Sequence, residues 1–154
     1  MMFAMQMLKL FARNLKNLIG KKNMATLFLF RGHPGSGKST AATKMFPNLV
    51  KFENDQFLMR DGKYCWSKES VQDAIKWCTA SVEIALKNSF DVVVANTFTK
   101  RRFVAAYEKL AMKYGAKFQV YRCTGNYQNV HGLNDEMVES FKKSMEDWPG
   151  EIFV

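Results

Sequence analysis

Short apolar runs alternate along the chain with longer segments whose apolar residues recur at helical spacing. The runs that predict buried strands are 26–31 (TLFLFR), 49–53 (LVKFE), 91–96 (DVVVAN) and 117–123 (KFQVYRC), with a short edge strand predicted at 152–154. Parallel strands joined through helices form right-handed crossovers. The pattern therefore predicts an α/β fold of three layers, with a central parallel sheet of four to five strands and helices on both faces.

Local signals predict where the helices begin and end. The helix after the first strand is expected to end near Pro47. Residues 70–73 (SVQD) match a capping box and predict a helix that opens at Ser70. Thr99 is predicted to cap a helix that stops at Gly115, and the last helix is predicted to begin at Asn134. The inward face of the Ser70 helix is predicted to carry Val71, Ile75, Cys78, Val82 and Ala85.

The first 24 residues differ in composition from the rest of the chain. They hold five of the 23 basic residues and none of the 14 acidic residues, and their apolar residues recur at helical spacing. We expect an amphipathic helix here, separate from a domain at 25–154. Three interpretations stay open: a helix packed on the domain, a leader upstream of a start at Met24, or contact with a membrane surface or a partner. No apolar stretch approaches the roughly 20 residues that a transmembrane segment needs.

Composition narrows the class of protein. A chain of 154 residues with 47% hydrophobic content is long and apolar enough for one packed domain. The three cysteines are widely spaced and form no C-x-x-C pair, so neither a disulfide framework nor a zinc site is indicated, and a cytoplasmic location is expected. The net charge of +9 permits a nucleic-acid partner, although much of it comes from the first 24 residues.

A glycine-rich segment carries the strongest chemical signal. It matches G-x-x-x-x-G-K-[ST] between a predicted strand and a predicted helix, the context of a phosphate-binding loop. Backbone amides and the helix N-terminus there can bind phosphate oxygens. Lys38 is predicted to contact the β- and γ-phosphates and Ser39 to bind Mg²⁺, so the expected ligand is ATP with Mg²⁺. We call this segment the phosphate loop; its residues are Gly32, His33, Pro34, Gly35, Ser36, Gly37, Lys38, Ser39 and Thr40.

Asp55 follows the second predicted strand closely. It therefore belongs at the carboxyl edge of the sheet, where open α/β folds bind their ligands. A carboxylate there can take the proton of a substrate hydroxyl that attacks the γ-phosphate. The alternative is that Asp55 only caps the turn that follows the strand.

In sequence, the chain resembles the 5′-kinase domain of phage polynucleotide kinases and the kinase-like ATP-binding domains related to it. The resemblance begins with the phosphate loop, GxPGSGKST, and with an Asp followed two residues later by an aromatic residue, here Asp55 and Phe57. It continues in order through 92–97 (VVVANT), 101–102 (RR), 113–115 (KYG) and 129–133 (NVHGL). It covers residues 25–148.

The resemblance implies that Asp55 is the general base that activates a 5′-hydroxyl of DNA or RNA. The chain departs from the family at two positions: Asn96 stands where an acid is expected, and Leu58 stands where an Arg is expected. The lid, which in the family is longer and rich in Arg, is cut to residues 124–128. Arg122 is the nearest candidate to meet the charge of the transferred phosphoryl group, and a plain surface arginine beside a strand is the alternative.

Three functions follow from these residues. The leading hypothesis is an ATP-dependent phosphotransferase that acts on a hydroxyl, most plausibly the 5′-hydroxyl of a nucleic acid, and a small-molecule or nucleoside kinase is a variant of it. The third is an interaction module that binds nucleotide with weak or no transfer, which Asn96 and the short lid favour. We expect core or interface burial, rather than stacking on a base, for Trp66, Trp77 and Trp148.

Overall fold

A computed structural model describes residues 24–128 and 132–154. The amphipathic helix expected in the first 24 residues lies, except for Met24, outside the described residues and stays a prediction. Among the described residues, no helix combines the length and the apolarity that a membrane crossing requires.

The structure is α/β, as the sequence predicts. Its elements in chain order are β1 (Thr26–Arg31), α1 (Lys38–Met45), β2 (Val50–Phe52), α2 (Asn54–Leu58), β3 (Met59–Arg60), β4 (Lys63–Tyr64), α3 (Lys68–Lys87), β5 (Val92–Ala95), α4 (Arg101–Lys113), β6 (Lys117–Arg122), α5 (Asp135–Ser144) and β7 (Ile152–Phe153). Five strands form one parallel sheet in the order β2-β5-β1-β6-β7. The central position of β1 and the helices on both faces confirm the predicted three-layer fold.

The alternation of side chains along β1 divides the core into two layers. Leu27 and Leu29 face a cluster that includes buried residues of α3 and α4. Phe30 lies in the other cluster with Ala42 of α1, and Phe28 stacks on Phe46 with ring centroids 4.0 Å apart. Because β1 is buried on both faces, its sequence is a continuous apolar run and does not alternate between apolar and polar residues.

The predicted start of α3 at Ser70 is wrong by three residues. Ser67 is the N-cap: its Oγ accepts from the Ser70 N–H at 3.0 Å, and the Ser67 N–H donates to Ser70 Oγ at 2.7 Å. Ser70 is thus the second partner of a capping box and not its first. The predicted inward face is correct in part. Cys78, Val82 and Ala85 are buried as predicted, but Ala74 is buried where Ile75 was expected, and Ile75 is 41% exposed.

The predicted cap of α4 at Thr99 is also wrong. The N-cap is Lys100, which provides no side-chain hydrogen bond to the helix. A distant residue supplies the missing acceptor, because Glu146 Oε2 accepts from the Arg101 N–H at 2.8 Å. The Thr99 carbonyl accepts from the Glu146 N–H at 2.8 Å.

One supersecondary unit was not predicted. After β2 the chain forms the short helix α2 and then, without a loop, the hairpin β3–β4. Asp61 and Gly62 turn the hairpin, with φ of 50° and 75°. Two left-handed residues in a two-residue turn match the twist of the flanking strands, and Asp-Gly is a favoured pair for such a turn.

Arg31, the last residue of β1, carries a fully buried charge. Its Nη1 lies 2.9 Å from Glu151 Oε2, and the two side chains are 0% and 3% exposed. Its Nη2 donates to the Phe98 carbonyl at 2.8 Å and to the Glu146 carbonyl at 2.7 Å. The guanidinium therefore joins the central strand to two segments far along the chain.

We predict that Glu151→Gln strongly destabilises the fold. The substitution leaves the Arg31 charge buried without its counterion, and breaking such a pair costs roughly 3–5 kcal/mol. Urea unfolding of the full chain measures the free energy of unfolding. Glu139→Gln is the control, because the Lys142–Glu139 pair is exposed and such pairs contribute about 0–1 kcal/mol. Equal stability of the two variants would contradict this role for the buried pair.

Candidate active site

The phosphate loop connects β1 to α1, as predicted, and its first glycine is required by sterics. Gly32 has φ of 154°, and a Cβ at this position would lie 2.4 Å from Ser36 Oγ and 2.5 Å from the Cys123 carbonyl oxygen. The Gly32 N–H donates to the Thr97 carbonyl at 3.2 Å. The loop is thus folded tightly against the ends of β5 and β6.

The start of α1 has the features of an anion site. Gly37, the N-cap, is left-handed with φ of 86°, makes no side-chain cap, and is followed by no acidic residue in the first turn. The first amides of a helix have no partner within the helix, and the helix dipole favours negative charge there. The Ser36 hydroxyl, on a residue that is 3% exposed, also has no hydrogen-bond partner in the described part of the chain. These groups fit the oxygens of a phosphate.

The Lys38 side chain folds back onto the first part of the phosphate loop. Its Nζ donates to the His33 carbonyl at 3.0 Å. Burial lowers the pKa of Lys38, while the acidic groups of Cys123, Asp55 and Glu53 act in the opposite direction. Both carboxylates thus favour the charged form of the Lys38 side chain.

Some of the remaining residues of the phosphate loop are buried and shape the loop, and others are exposed to solvent. His33 is 7% exposed, and its Nδ1 lies 2.8 Å from the Pro34 carbonyl oxygen, so it shapes the loop as expected. Pro34 is buried, whereas Ser39 and Thr40 are exposed in the first turn of α1. Nothing in this arrangement gives His33 a role in chemistry.

Glu53 is a functional candidate that sequence reasoning missed. Its Oε1 accepts a hydrogen bond from Ser39 Oγ, and Lys51 Nζ lies 3.4 Å from the same oxygen. No group of three or more His, Cys, Asp or Glu side chains that could hold a metal occurs among the described residues. Mg²⁺ in nucleotide sites is held by few protein oxygens together with phosphates, so the hydroxyl and carboxylate of Ser39 and Glu53 suit it. The signal in the sequence was an acid at the end of the second strand.

Asp55 lies in the first turn of α2, at the carboxyl edge of the sheet. Glu53, not Asp55, is the N-cap of this helix, and it forms a capping box with Gln56. The Tyr64 hydroxyl donates to Asp55 Oδ1 at 3.0 Å. Burial, together with the charge of Asp55 and this hydrogen bond, raises the pKa of Tyr64 to about 12. The general-base role of Asp55 stays a prediction.

Asn96, at the position where an acid was expected, has a structural partner. Its Oδ1 accepts from the Asn54 N–H at 2.8 Å, across from β5 to α2. The amide thereby fixes the backbone of the residue next to Asp55. Asn96 supports the placement of Asp55 instead of adding a charge to the site.

Arg122 is held by carboxylates of the carboxyl-terminal segment. Its Nη1 lies 2.6 Å from Asp147 Oδ1 and 3.0 Å from Glu151 Oε1. The predicted contact of Arg122 with a phosphoryl group stays a prediction.

The shortened lid segment is attached to the phosphate loop by its backbone. The Gly125 N–H donates to the Ser36 carbonyl at 3.2 Å, and the Tyr127 N–H donates to the Gly35 carbonyl at 2.8 Å. The Tyr127 ring lies against Gly37, where an added Cβ would come within 2.9 Å of it. The segment therefore covers one side of the loop.

Comparisons with known proteins match the part of the chain that carries this site. The AAA domain family AAA_33 matches residues 27–126. The uncharacterized protein PM0531 of Pasteurella multocida (strain Pm70) is 29% identical over 142 residues, which cover 82% of this chain and 79% of that protein.

Two solved structures share the fold. A proposed kinase from Chloroflexus aurantiacus matches with a TM-score of 0.63 and 15% identity, over 86% of this chain and 88% of that one. A chain of the Pnkp1/Rnl/Hen1 RNA repair complex matches with a TM-score of 0.57 and 25% identity, over 88% of this chain and 43% of that one. The present chain thus spans less than half the length of that protein.

We predict that Lys38→Ala weakens ATP binding, because the variant lacks the ammonium group that contacts the phosphates. A loss of about tenfold or more in affinity is expected for a lost charged hydrogen bond. Calorimetry with ATP and Mg²⁺ measures it, with Lys44→Ala, at the exposed end of the same helix, as the control. Unchanged affinity in the Lys38 variant would contradict the assignment of the phosphate loop.

Proposed function

The chain belongs to the AAA domain family AAA_33, and on that premise we propose that it is a P-loop kinase that transfers the γ-phosphate of ATP to the 5′-hydroxyl of a nucleic acid. One observation carries the proposal: Ser39 Oγ donates to Glu53 Oε1, so the first turn of α1, which carries Lys38, meets the segment that carries Asp55 at one edge of the sheet. A donor-binding cation and a candidate base are thereby combined in a single site.

The phosphate loop serves the donor. Backbone amides at the start of α1 bind phosphate oxygens, and Lys38 exchanges the His33 carbonyl for the β- and γ-phosphates. The backbone amides are in place before ATP arrives, so they stabilise the charge of the transferred group without reorganising the backbone.

Ser39 and Glu53 would hold Mg²⁺. Bound there, the ion would neutralise charge that develops on the phosphate oxygens. Glu53 supplies, from the end of β2, the carboxylate that is absent at Asn96. The Lys51 ammonium, 3.4 Å from Glu53 Oε1, helps to hold that carboxylate in place.

Asp55 serves the acceptor. The acceptor hydroxyl oxygen forms a bond to the γ-phosphorus, the bond from that phosphorus to the β–γ bridging oxygen breaks, and ADP leaves with the electron pair. The hydroxyl proton passes to the Asp55 carboxylate. No other reactant is needed.

A nucleic-acid acceptor is supported by the surface next to Asp55. Trp66, which follows β4, is 67% exposed and so does not lie in the core, whereas Trp77 and Trp148 pack against the core. Arg60 and Lys63 of the same hairpin are also exposed, so this segment offers a stacking face and positive charge. The similarity to a chain of an RNA repair complex points the same way.

A second candidate is a module that binds ATP without transferring phosphate. Arg122 is the observation that favours it, because two carboxylates already hold its guanidinium. Transfer without an arginine at the γ-phosphate would be slow.

We predict that the protein labels a 5′-hydroxyl end from γ-labelled ATP and that Asp55→Asn abolishes most of the labelling. General bases contribute roughly a hundredfold or more to such rates. The assay compares 5′-hydroxyl DNA, 5′-hydroxyl RNA, free nucleosides and small sugars, with Asp73→Asn, on the exposed face of α3, as the control. Label on a nucleoside or sugar alone would replace the nucleic-acid acceptor. ATP binding with no label on any acceptor would favour the second candidate.

We predict that Glu53→Gln removes most of the gain in ATP affinity that Mg²⁺ provides. The neutral amide is a poor ligand for a hard cation. Calorimetry of ATP binding with and without Mg²⁺ measures this gain independently of catalysis. Glu69→Gln, an exposed acid in the first turn of α3, should keep the full gain. An equal Mg²⁺ effect in both variants would remove Glu53 from the metal site.

A further inference from the structure

Asp55 and Tyr64 belong to one short structural unit. Asp55 lies in the first turn of α2, and the Met59 N–H donates to the Asp55 carbonyl at the end of that helix. The chain then turns back through the hairpin, in which Tyr64 pairs with Met59. The Tyr64 hydroxyl thereby returns to Asp55 and donates to its Oδ1 at 3.0 Å.

The backbone fixes the position of Tyr64. The Cys65 N–H donates to the Leu58 carbonyl at 2.8 Å, which extends the pairing of the hairpin by one bond. Leu58 is 3% exposed, and Phe57 lies against Trp77 with ring centroids 5.9 Å apart. The unit is therefore anchored on α3, and the phenol does not depend on a flexible surface loop for its location.

The phenol is a lasting hydrogen-bond donor. Because burial and the Asp55 carboxylate raise the pKa of Tyr64 to about 12, it stays protonated throughout the neutral range. A carboxylate offers about four lone-pair positions. One accepted hydrogen bond can thus fix its orientation and still leave it able to accept a proton.

We propose that Tyr64 is a positioning residue, whose hydroxyl holds the Asp55 carboxylate in the orientation in which it accepts the proton of the acceptor hydroxyl. This role rests on the proposed phosphotransferase function. The hairpin then has a purpose in the site: it carries the donor that orients the base. Proton transfer needs the base within hydrogen-bond reach and correctly aligned, so a freely rotating carboxylate is a weaker base catalyst.

Steady-state kinetics of Tyr64→Phe test the proposal. The variant keeps the ring and the hairpin but lacks the hydroxyl, so kcat should fall roughly tenfold to a hundredfold while KM for ATP stays within about twofold. Tyr114→Phe is the matched control, because the Tyr114 hydroxyl donates to Glu83 Oε1 at 2.7 Å, also a tyrosine–carboxylate bond. A kcat for Tyr64→Phe equal to that of Tyr114→Phe overturns the positioning role.

A titration tests the contact independently of activity. Tyrosine labelled with ¹³C at Cζ reports the protonation of each phenol by NMR, and Tyr64→Phe identifies the signal. Asp55→Asn should lower the pKa of Tyr64 from about 12, because the nearby negative charge is gone. An unchanged pKa of Tyr64 overturns the proposal. If the wild-type protein labels no acceptor, the proposed function and the positioning role are both wrong. If the wild-type protein is active and the Tyr64→Phe variant is equally active, only the positioning role is wrong.

Discussion

The guanidinium of Arg31 sits at the carboxyl end of the central strand, out of contact with water, and its charge has to be compensated where it lies. An unpaired buried charge costs several kcal/mol. The partners are Glu151 and the carbonyls of Phe98 and Glu146, all more than 60 residues further along the chain. Phe98, whose carbonyl accepts from Arg31, has a left-handed backbone conformation with a φ of 42°. Since Gly32 follows Arg31 directly, the residue that orders the far segments of the chain also fixes the start of the phosphate loop.

The parallel sheet explains why the candidate groups meet. All its strands end at the same edge, so β1 delivers the phosphate loop there, β2 delivers Glu53 and Asp55, and β5 delivers Asn96. Each strand contributes a different kind of group: an anion cradle, two carboxylates, and an amide that fixes the neighbouring backbone. Under the proposed function, Glu53, directly after β2, supplies the carboxylate that Asn96 lacks.

The sheet, the phosphate loop and the placement of Asp55 could be predicted because each depends on a local pattern. The cap of α4 could not, because its acceptor is Glu146, 45 residues away. Glu53 was missed since its contact with Ser39 exists only once β2 and α1 are folded onto the same sheet. The hairpin is a different case, because the Asp61-Gly62 pair that forms its turn was visible in the sequence. Unless that turn is recognised, no sequence pattern indicates that Tyr64 lies near Asp55.

The bond from Lys38 to the His33 carbonyl has a consequence for selectivity. An anion that recruits this ammonium group must first compete with an internal acceptor that is already in place. A singly charged oxyanion gains little by the exchange, since it replaces one good hydrogen bond with another and loses its own hydration. A polyphosphate gains through several charges at once. At the proposed site, the His33 carbonyl is thus expected to disfavour singly charged oxyanions relative to a polyphosphate.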